Sequence, residues 1–225
     1  MDKKKTLKII KIGGNVIDDP MALKSFLRTV STVQGPKILV HGGGKSATAL
    51  AEQTGLKVKM IEGRRVTDAV TLELITMVYA GKINKRLVAQ LQALKCNAIG
   101  FTGADGNTIS AEKRPVSSID YGFVGDIKNV ETSTLHLLLK QSICPVFCAI
   151  THDNKGQLLN TNADTIASEL AIAFANQYQV ELYYCFEKKG VLKDINDDNS
   201  VIQTINKSSY KKLLETQLIL SLIHI

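Results

Sequence analysis

In three segments of the chain a helical pattern begins directly after glycines or carboxamides. In the first two segments the glycines follow a short apolar run, and in the third the carboxamides end a polar loop. The three segments span residues 7–15, 37–46 and 158–165. The N–H groups of a helix's first turn lack intrahelical partners, and the helix dipole adds partial positive charge there. Consecutive glycines after a strand supply further N–H donors for phosphate or carboxylate. The sequence therefore predicts an anion-binding site built from strand-to-helix junctions.

Lys11 is the unusual residue of the first junction because it interrupts an apolar run. A strand buried on both faces tolerates an ionised side chain poorly. We therefore expect Lys11 near the carboxyl end of its strand, directed at a ligand or a carboxylate. The alternative is an edge strand whose lysine reaches water, and this segment alone favours neither. Gly13 and Gly14 follow, and they allow the backbone to approach a ligand closely.

Asp164 stands where the third junction enters its helical pattern. Taken alone, this position favours a helix N-cap, whose side chain accepts hydrogen bonds from the first turn. The alternative is a carboxylate that belongs to a ligand site. The two glycine-rich junctions earlier in the chain shift the balance toward that alternative.

The second junction contains three consecutive glycines, Gly42, Gly43 and Gly44, which is more than a tight turn requires. The following Lys45 and Ser46 do not complete a Walker A loop, because that motif needs glycine where Leu39 stands. The intervals between Gly100, Gly103 and Gly106 likewise do not match a dinucleotide-binding fingerprint.

The apolar periodicity predicts alternating strands and helices. Strands are expected near residues 7–12, 37–40, 97–101, 145–150 and 181–186, and helices near 20–33, 45–54, 68–94, 132–142 and 163–177. Such alternation indicates an α/β fold with a mostly parallel open sheet sandwiched between helices.

Two polar, Gly-containing stretches, residues 58–66 and 108–126, are expected to be β insertions, the first of them a hairpin that carries two arginines. Arginine grips a carboxylate through two parallel hydrogen bonds. We expect Arg65 to be anchored and to reach over the glycines, and Arg64 to be a solvated surface residue.

Composition narrows the function. Lys and Arg number 28 against 21 acidic residues, a net charge of +7, yet there is no Trp and aromatic residues are only 5%. A stacking platform for nucleic acid is therefore not expected, and a small polyanion such as a nucleotide is the simpler partner. The four cysteines, which lie at 96, 144, 148 and 185, are expected to be buried thiols rather than metal ligands. The chain has no signal-peptide pattern and no run of about 20 apolar residues, so a cytoplasmic location without membrane contact is expected.

Five motifs together resemble the amino acid kinase family. They are Ile10-Lys11-Ile12-Gly13-Gly14, His41-Gly42-Gly43-Gly44, Gly63-Arg64-Arg65-Val66-Thr67, Thr102-Gly103-Ala104-Asp105-Gly106 and Asn160-Thr161-Asn162-Ala163-Asp164. The third and fifth motifs resemble the acylglutamate kinase branch of that family. The resemblance extends from residue 7 to about residue 215.

This resemblance implies phosphoryl transfer from MgATP to the γ-carboxylate of an N-acyl-L-glutamate, a step of arginine biosynthesis. It implies that Lys11 contacts phosphoryl oxygens and that Asp164 holds the catalytic lysines in place. The implied substrate contacts are Gly43, Gly44, Arg65 and Asn160. The implied nucleotide contacts are Gly13, Gly14, Glu187 and Gly190. No protein ligand for a metal ion is implied.

The resemblance also implies a single amino acid kinase domain. Residues 1–150 would bind the acylglutamate and form a homodimer, and residues 151–225 would bind the nucleotide. Only six residues precede the first predicted strand, so the helix that accompanies hexamers in relatives is not expected.

Two departures from the family pattern lie in the C-terminal part. Glu187 stands where the family carries an aspartate in its nucleotide loop. The family's second phosphate-binding lysine, in a G-M-x-x-K element, has no counterpart, and the chain ends in the apolar run 216–225, so this part is expected to be incomplete at its end. The alternative function is therefore a catalytically weak protein that senses an acylglutamate or a nucleotide.

Overall fold

The computed structural model describes residues 4–61, 63–194, 196–206, 208, 209 and 213. The chain divides into two compact units, residues 1–185 and residues 186–225. The elements of the first unit follow in chain order: β1 (Thr6–Ile12), α1 (Gly14–Asp18), α2 (Pro20–Thr32), β2 (Lys37–His41), α3 (Gly44–Gln53), β3 (Met60–Ile61), β4 (Arg64–Arg65), α4 (Ala69–Thr76), a π-helical segment (Met77–Ile83), α5 (Asn84–Ala93), β5 (Ala98–Phe101), a 3₁₀ turn (Asp105–Asn107), β6 (Ile109–Lys113), β7 (Gly125–Val130), α6 (Ser133–Lys140), β8 (Cys144–Phe147), β9 (Ile150–His152), β10 (Leu158–Asn160), α7 (Ala163–Phe174) and β11 (Gln179–Cys185).

The central sheet consists of five parallel strands in the order β11-β1-β2-β8-β5. Consecutive side chains of a strand point to opposite faces, and Ile38, Leu39 and Val40 of β2 are all fully buried. Both faces of the sheet are therefore covered, with α5, α6 and α7 packed against its strands. This confirms the predicted α/β fold with a mostly parallel sheet between helices.

Strand β1 lies inside the sheet, because β11 pairs with one of its edges and β2 with the other. The interpretation of Lys11 as a snorkelling lysine on an edge strand is therefore wrong. Lys11 is the last residue but one of β1, so its side chain leaves the sheet at the carboxyl end.

A second sheet, in the order β10-β9-β6-β7, holds the predicted insertion. The strand expected at residues 145–150 was wrong in its extent, because the chain leaves the central sheet after β8 and enters the second sheet as β9. Residues 158–160, expected in a loop, form the short strand β10 opposite β9. Three residues are too few to show the alternation that identifies a strand.

The first insertion is the predicted hairpin, in which β3 and β4 pair antiparallel. The helix predicted over residues 68–94 is present but contains the π-helical segment Met77–Ile83. A π-helical turn takes in one more residue than an α-helical turn, and such a local widening leaves no mark in the apolar periodicity. Within the described residues, no helix is both long enough and apolar enough to cross a membrane.

Candidate functional site

A cleft of about 310 Å³ opens at the carboxyl ends of β1 and β2, within the first unit. In open α/β sheets this edge is where ligands bind, because strands end there and helices begin. The cleft is lined by residues from all three junctions and from the arginine hairpin, namely Lys11, Gly14, Gly42, Gly43, Gly44, Arg64, Arg65, Asn160 and Asp164, among others. The structure thus brings together most of the site residues that the sequence suggested.

Lys11 and Asp164 both line the cleft and form an ion pair there. Lys11 Nζ lies 2.7 Å from Asp164 Oδ1, and the two side chains are 18% and 14% exposed. The carboxylate stands in the first turn of α7, where the helix dipole favours negative charge. The expectation that Lys11 would lie near the strand end and face a carboxylate is confirmed.

The helix cap of α7 is Asn162 rather than Asp164. The Asn162 carboxamide oxygen accepts hydrogen bonds from the N–H groups of Asp164, at 2.7 Å, and Thr165, at 3.3 Å. The interpretation of Asp164 as the N-cap was therefore wrong, because a second good capping residue lies two positions earlier. With the cap supplied by Asn162, the Asp164 carboxylate pairs with Lys11.

Arg65 also lines the cleft and is buried, with 8% of its surface exposed. Its Nη2 donates to the Gly44 carbonyl at 3.0 Å and to Thr48 Oγ1 at 2.8 Å. Its Nη1 is buried and has no hydrogen-bond acceptor in the described part of the chain. A buried donor without a partner is costly, so this nitrogen is suited to a ligand carboxylate. Arg64, expected on the surface, is partly buried and lines the same cleft.

Tyr79 comes from the π-helical segment and packs beside Arg65. Burial raises the pKa of its hydroxyl, while the nearby charge of Arg65 opposes that rise. An added Cβ on Gly43 would lie 2.9 Å from this ring and 2.4 Å from Ile83 Cδ1. Gly43 therefore lets the backbone of the glycine segment lie directly against the helix.

Asn160 ends β10 and joins it to the segment after the hairpin. Its Nδ2 donates to Thr67 Oγ1 at 3.0 Å, and its backbone N–H donates to the Phe123 carbonyl at 2.9 Å. Thr67 is fully buried, so this contact holds the Asn160 carboxamide in a fixed position at the cleft.

The glycines of the first junction differ in their surroundings. The Gly13 N–H donates to the Cys185 carbonyl at 2.7 Å. Of the two glycines, Gly14 is the one that lines the cleft. Nothing among the described residues lies within 4 Å of a Cβ added at Gly14 or at Gly44. Space for a ligand therefore adjoins both.

The sequence did not indicate the pair formed by Arg114 and Asp126, which also line the cleft. Arg114 Nε lies 3.1 Å from each carboxylate oxygen of Asp126, and Nη2 lies 2.5 Å from Oδ1. Hydrogen bonding to that carboxylate raises the pKa of Arg114. The two residues are twelve positions apart in an irregular insertion, and their spacing carries no signal.

His41 and Asn84 form a second pair that the sequence did not indicate. Both are buried, with 0% and 1% exposed. His41 Nδ1 lies 2.8 Å from the Gly42 carbonyl oxygen, and His41 Nε2 lies 3.1 Å from Asn84 Nδ2. Burial lowers the pKa of His41 to about 4, against the smaller opposing effect of the Gly42 carbonyl.

Glu187 and Gly190 belong to the second unit, and their roles stay predictions. In that unit Lys188 Nζ pairs with Asp198 Oδ1 at 2.7 Å, and an isolated bridge joins Leu192 and Val201. The apolar run 216–225 and the place where a G-M-x-x-K element would follow lie outside the described residues.

Comparison with known proteins supports the resemblance of the motifs. Residues 6–222 match the sequence profile of the amino acid kinase family. The chain is 55% identical to an acetylglutamate kinase of Cytophaga hutchinsonii over 95% of its own length and 81% of that protein. It is 54% identical to an acetylglutamate kinase of Phocaeicola vulgatus over 94% of its length and 82% of that protein.

Solved structures share the fold at low identity. A Streptococcus mutans protein superposes with a TM-score of 0.76 at 23% identity, covering 94% of this chain and 83% of that one. The N-acetylglutamate synthase of Neisseria gonorrhoeae, complexed with coenzyme A and N-acetyl-glutamate, superposes with a TM-score of 0.75 at 19% identity, covering 97% of this chain and 50% of that one.

Proposed function

Because the chain belongs to the amino acid kinase family, we propose that it transfers the γ-phosphoryl group of ATP to the γ-carboxylate of N-acetyl-L-glutamate, in arginine biosynthesis. A carboxylate oxygen of the substrate forms the new bond to phosphorus while the bond to the β–γ bridging oxygen breaks. The products are an acyl phosphate and ADP. The enzyme is a phosphotransferase with a carboxyl group as acceptor.

The Lys11–Asp164 ion pair, lying in one cleft with glycine N–H groups and Arg65, is the observation that carries this proposal. Phosphoryl transfer needs alignment of the reactants and positive charge around the transferred oxygens, and it needs no covalent nucleophile. Lys11 supplies that charge, and Asp164 holds its ammonium group in place.

The acceptor is held by Arg65, by the glycine segment and by Asn160. We assign Arg65 Nη1, which is buried without an acceptor in the described residues, to a carboxylate of the acylglutamate. Gly43, Gly44 and Asn160 line the same cleft and complete the substrate contacts, with the N–H groups of the two glycines directed at the γ-carboxylate and at the phosphoryl group that it receives. Gly14 presents its backbone toward the nucleotide phosphates.

A Mg²⁺ ion fits this site as a companion of ATP rather than as a metal held by the protein. Among the described residues, the carboxylates that line the cleft are those of Asp126 and Asp164, and both are ion-paired. Mg²⁺ retains several waters and is commonly held by substrate phosphates. When bound, the ion neutralises phosphate charge, while Lys11 orients the group being transferred.

Three further parts of the proposal rest on the sequence. Glu187 and Gly190 are assigned to nucleotide contacts in the second unit. The protein is assigned to the cytoplasm. The chain is also proposed to form a homodimer, so light scattering should report about twice the chain mass of 24.6 kDa, and a hexamer would contradict the expected assembly.

Coupled measurement of ADP release tests the function directly. ADP should form when MgATP and N-acetyl-L-glutamate are both present, and L-glutamate, which lacks the acyl group, should be a poor acceptor. N-succinyl-L-glutamate is the second acceptor to compare, because its additional carboxylate would need another cationic partner. Calorimetric binding of N-acetyl-L-glutamate without ADP release would instead favour a sensor.

A further inference from the structure

Each peptide carbonyl of the glycine segment Gly42–Gly44 is held by a hydrogen bond. The Gly43 carbonyl accepts from the Ala47 N–H at 3.0 Å, which begins α3. The Gly44 carbonyl accepts from Arg65 Nη2 at 3.0 Å and from Thr48 Oγ1 at 2.9 Å. The Gly42 carbonyl is held by the imidazole of His41 at 2.8 Å.

The contacts of His41 determine which ring nitrogen carries the proton. The Gly42 carbonyl is an acceptor only, so His41 Nδ1 must carry a hydrogen and donate it. Asn84 Nδ2 is a donor, so His41 Nε2 must be unprotonated and accept from it. The ring is therefore neutral with its proton on Nδ1.

The Asn84 carboxamide is itself fixed on every side. Its Nδ2 donates one hydrogen to His41 Nε2 and the other to the Val146 carbonyl at 2.8 Å, and its Oδ1 accepts from Lys85 Nζ at 3.3 Å. Gly100 leaves the space that this side chain occupies, because a Cβ there would lie 1.8 Å from Asn84 Oδ1. The pair is therefore held in one orientation from β8, α5 and β5.

The peptide plane transmits this constraint to the cleft. The Gly42–Gly43 peptide is trans, so the Gly42 carbonyl and the Gly43 N–H point in opposite directions across one rigid plane. Holding the carbonyl on the buried side leaves the N–H on the side of the cleft, which both glycines line. Glycine has no side chain that could restrict this rotation, so an external anchor is required.

We propose that His41, oriented by Asn84, is a positioning residue that fixes the Gly42–Gly43 peptide so that the Gly43 N–H faces the transferred phosphoryl group. The proposal rests on the proposed phosphoryl transfer. His41 is fully buried and is not among the described residues that line the cleft, so it acts through the glycine backbone. A preorganised N–H is effective because it does not have to reorient when charge develops in the transition state.

The tautomer can be measured in the wild-type protein without any assay of activity. Imidazole nitrogen chemical shifts of His41, recorded by NMR at neutral pH on ¹⁵N-labelled protein, should show a protonated Nδ1 and an unprotonated Nε2. A proton on Nε2 would overturn the proposal. This result is independent of turnover, so it separates a failure of this inference from a failure of the proposed kinase activity.

Two variants of His41 separate the contact to Gly42 from the contact to Asn84. In His41→Asn the amide nitrogen takes the place of Nδ1 and can still donate to the Gly42 carbonyl. In His41→Gln the longer side chain reaches toward Asn84 and leaves that carbonyl without its donor. We expect kcat with MgATP and N-acetyl-L-glutamate to fall about 10²-fold in His41→Gln, since a small misplacement of a catalytic group costs about this much. His41→Asn should keep most of the wild-type kcat, and KM should change little in either.

His136 provides the matched control, because its Nδ1 also makes a side-chain hydrogen bond, to the Tyr178 hydroxyl at 3.0 Å. His136→Asn and His136→Gln should both keep the wild-type kcat. Equal losses of kcat in the two His41 variants, or losses that simply follow their thermal stability, would overturn the proposal. If neither His41 variant folds, the wild-type tautomer decides.

Discussion

At the residue scale, Asn162 and Asp164 make different contacts at the start of α7. The two stand two positions apart at the start of α7, yet one caps the helix and the other pairs with Lys11. Capping uses a side-chain oxygen of either residue type, so the sequence could not tell which one would do it. In the structure the cap is Asn162, and the Asp164 carboxylate pairs with Lys11.

This difference in contacts predicts opposite effects for two matched substitutions. Asn162→Ala removes the cap and should lower the free energy of unfolding by about 1 kcal/mol, with kcat reduced much less than in the second variant. Asp164→Asn removes the charge that holds Lys11 and should lower kcat strongly at a small cost in stability. Chemical denaturation and steady-state kinetics on both variants check this, and the reverse pattern would show that Asp164 is the structural residue.

Other residue-scale features had no signature in the sequence. Lys11 and Arg65 could be proposed as site residues from their types and neighbours, and Asn160 from the resemblance of its motif to the acylglutamate kinase branch. The His41–Asn84 pair could not, because its partners lie 43 positions apart on elements that only the fold brings together. The Arg114–Asp126 pair could not either, because the spacing of the two residues in an irregular insertion does not reveal how β6 and β7 pair.

At the element scale, the π-helical segment shapes the cleft wall. It directs Tyr79 and Ile83 at the glycine segment, where Gly43 leaves room for them at a φ of +157°. Apolar periodicity predicted the helix but not the π-helical segment within it. The sequence also predicted the β insertions, but not that the chain passes from the central sheet at β8 to the second sheet at β9. Such features arise from side-chain packing between elements, which a single-sequence pattern does not contain.

A pair of glycine substitutions tests this packing. Gly43→Ala would place a Cβ 2.4 Å from Ile83 Cδ1, and overpacking of this kind costs about 1–3 kcal/mol. Gly81→Ala lies in the same π-helical segment with nothing among the described residues within 4 Å, so it should be neutral or stabilising by about 0.5–1 kcal/mol. Thermal unfolding measures both, and equal effects would contradict the assigned packing.

At the scale of the whole molecule, buried His41 should link stability to pH. Burial lowers its pKa from 6.5 to about 4 in the folded protein. Between these two values the unfolded chain binds a proton that the folded chain does not. The contribution of neutral His41 to the free energy of unfolding is therefore complete above pH 6.5 and is lost as the pH falls toward 4.

The size of this effect follows from the shift in pKa. One pKa unit corresponds to about 1.4 kcal/mol, so the loss of stability is on the order of 3 kcal/mol. Denaturant titrations of the wild type between pH 7 and 4 should show this decline, and His41→Asn should show a shallower one. The His136→Asn variant is the control, and an unchanged slope in His41→Asn would contradict the link.

The catalytic importance of Lys11 is the claim on which the whole account depends, and the kcat of Lys11→Ala tests it most directly. Loss of one electrostatic donor of this kind typically costs about 10²- to 10³-fold in rate. Lys8 is the matched control, because it lies in the same strand three residues earlier, away from the residues that line the cleft. We predict a loss of kcat of about that size for Lys11→Ala with little change in the KM for N-acetyl-L-glutamate, and near wild-type kinetics for Lys8→Ala. Retention of most of the wild-type kcat by Lys11→Ala would contradict the account.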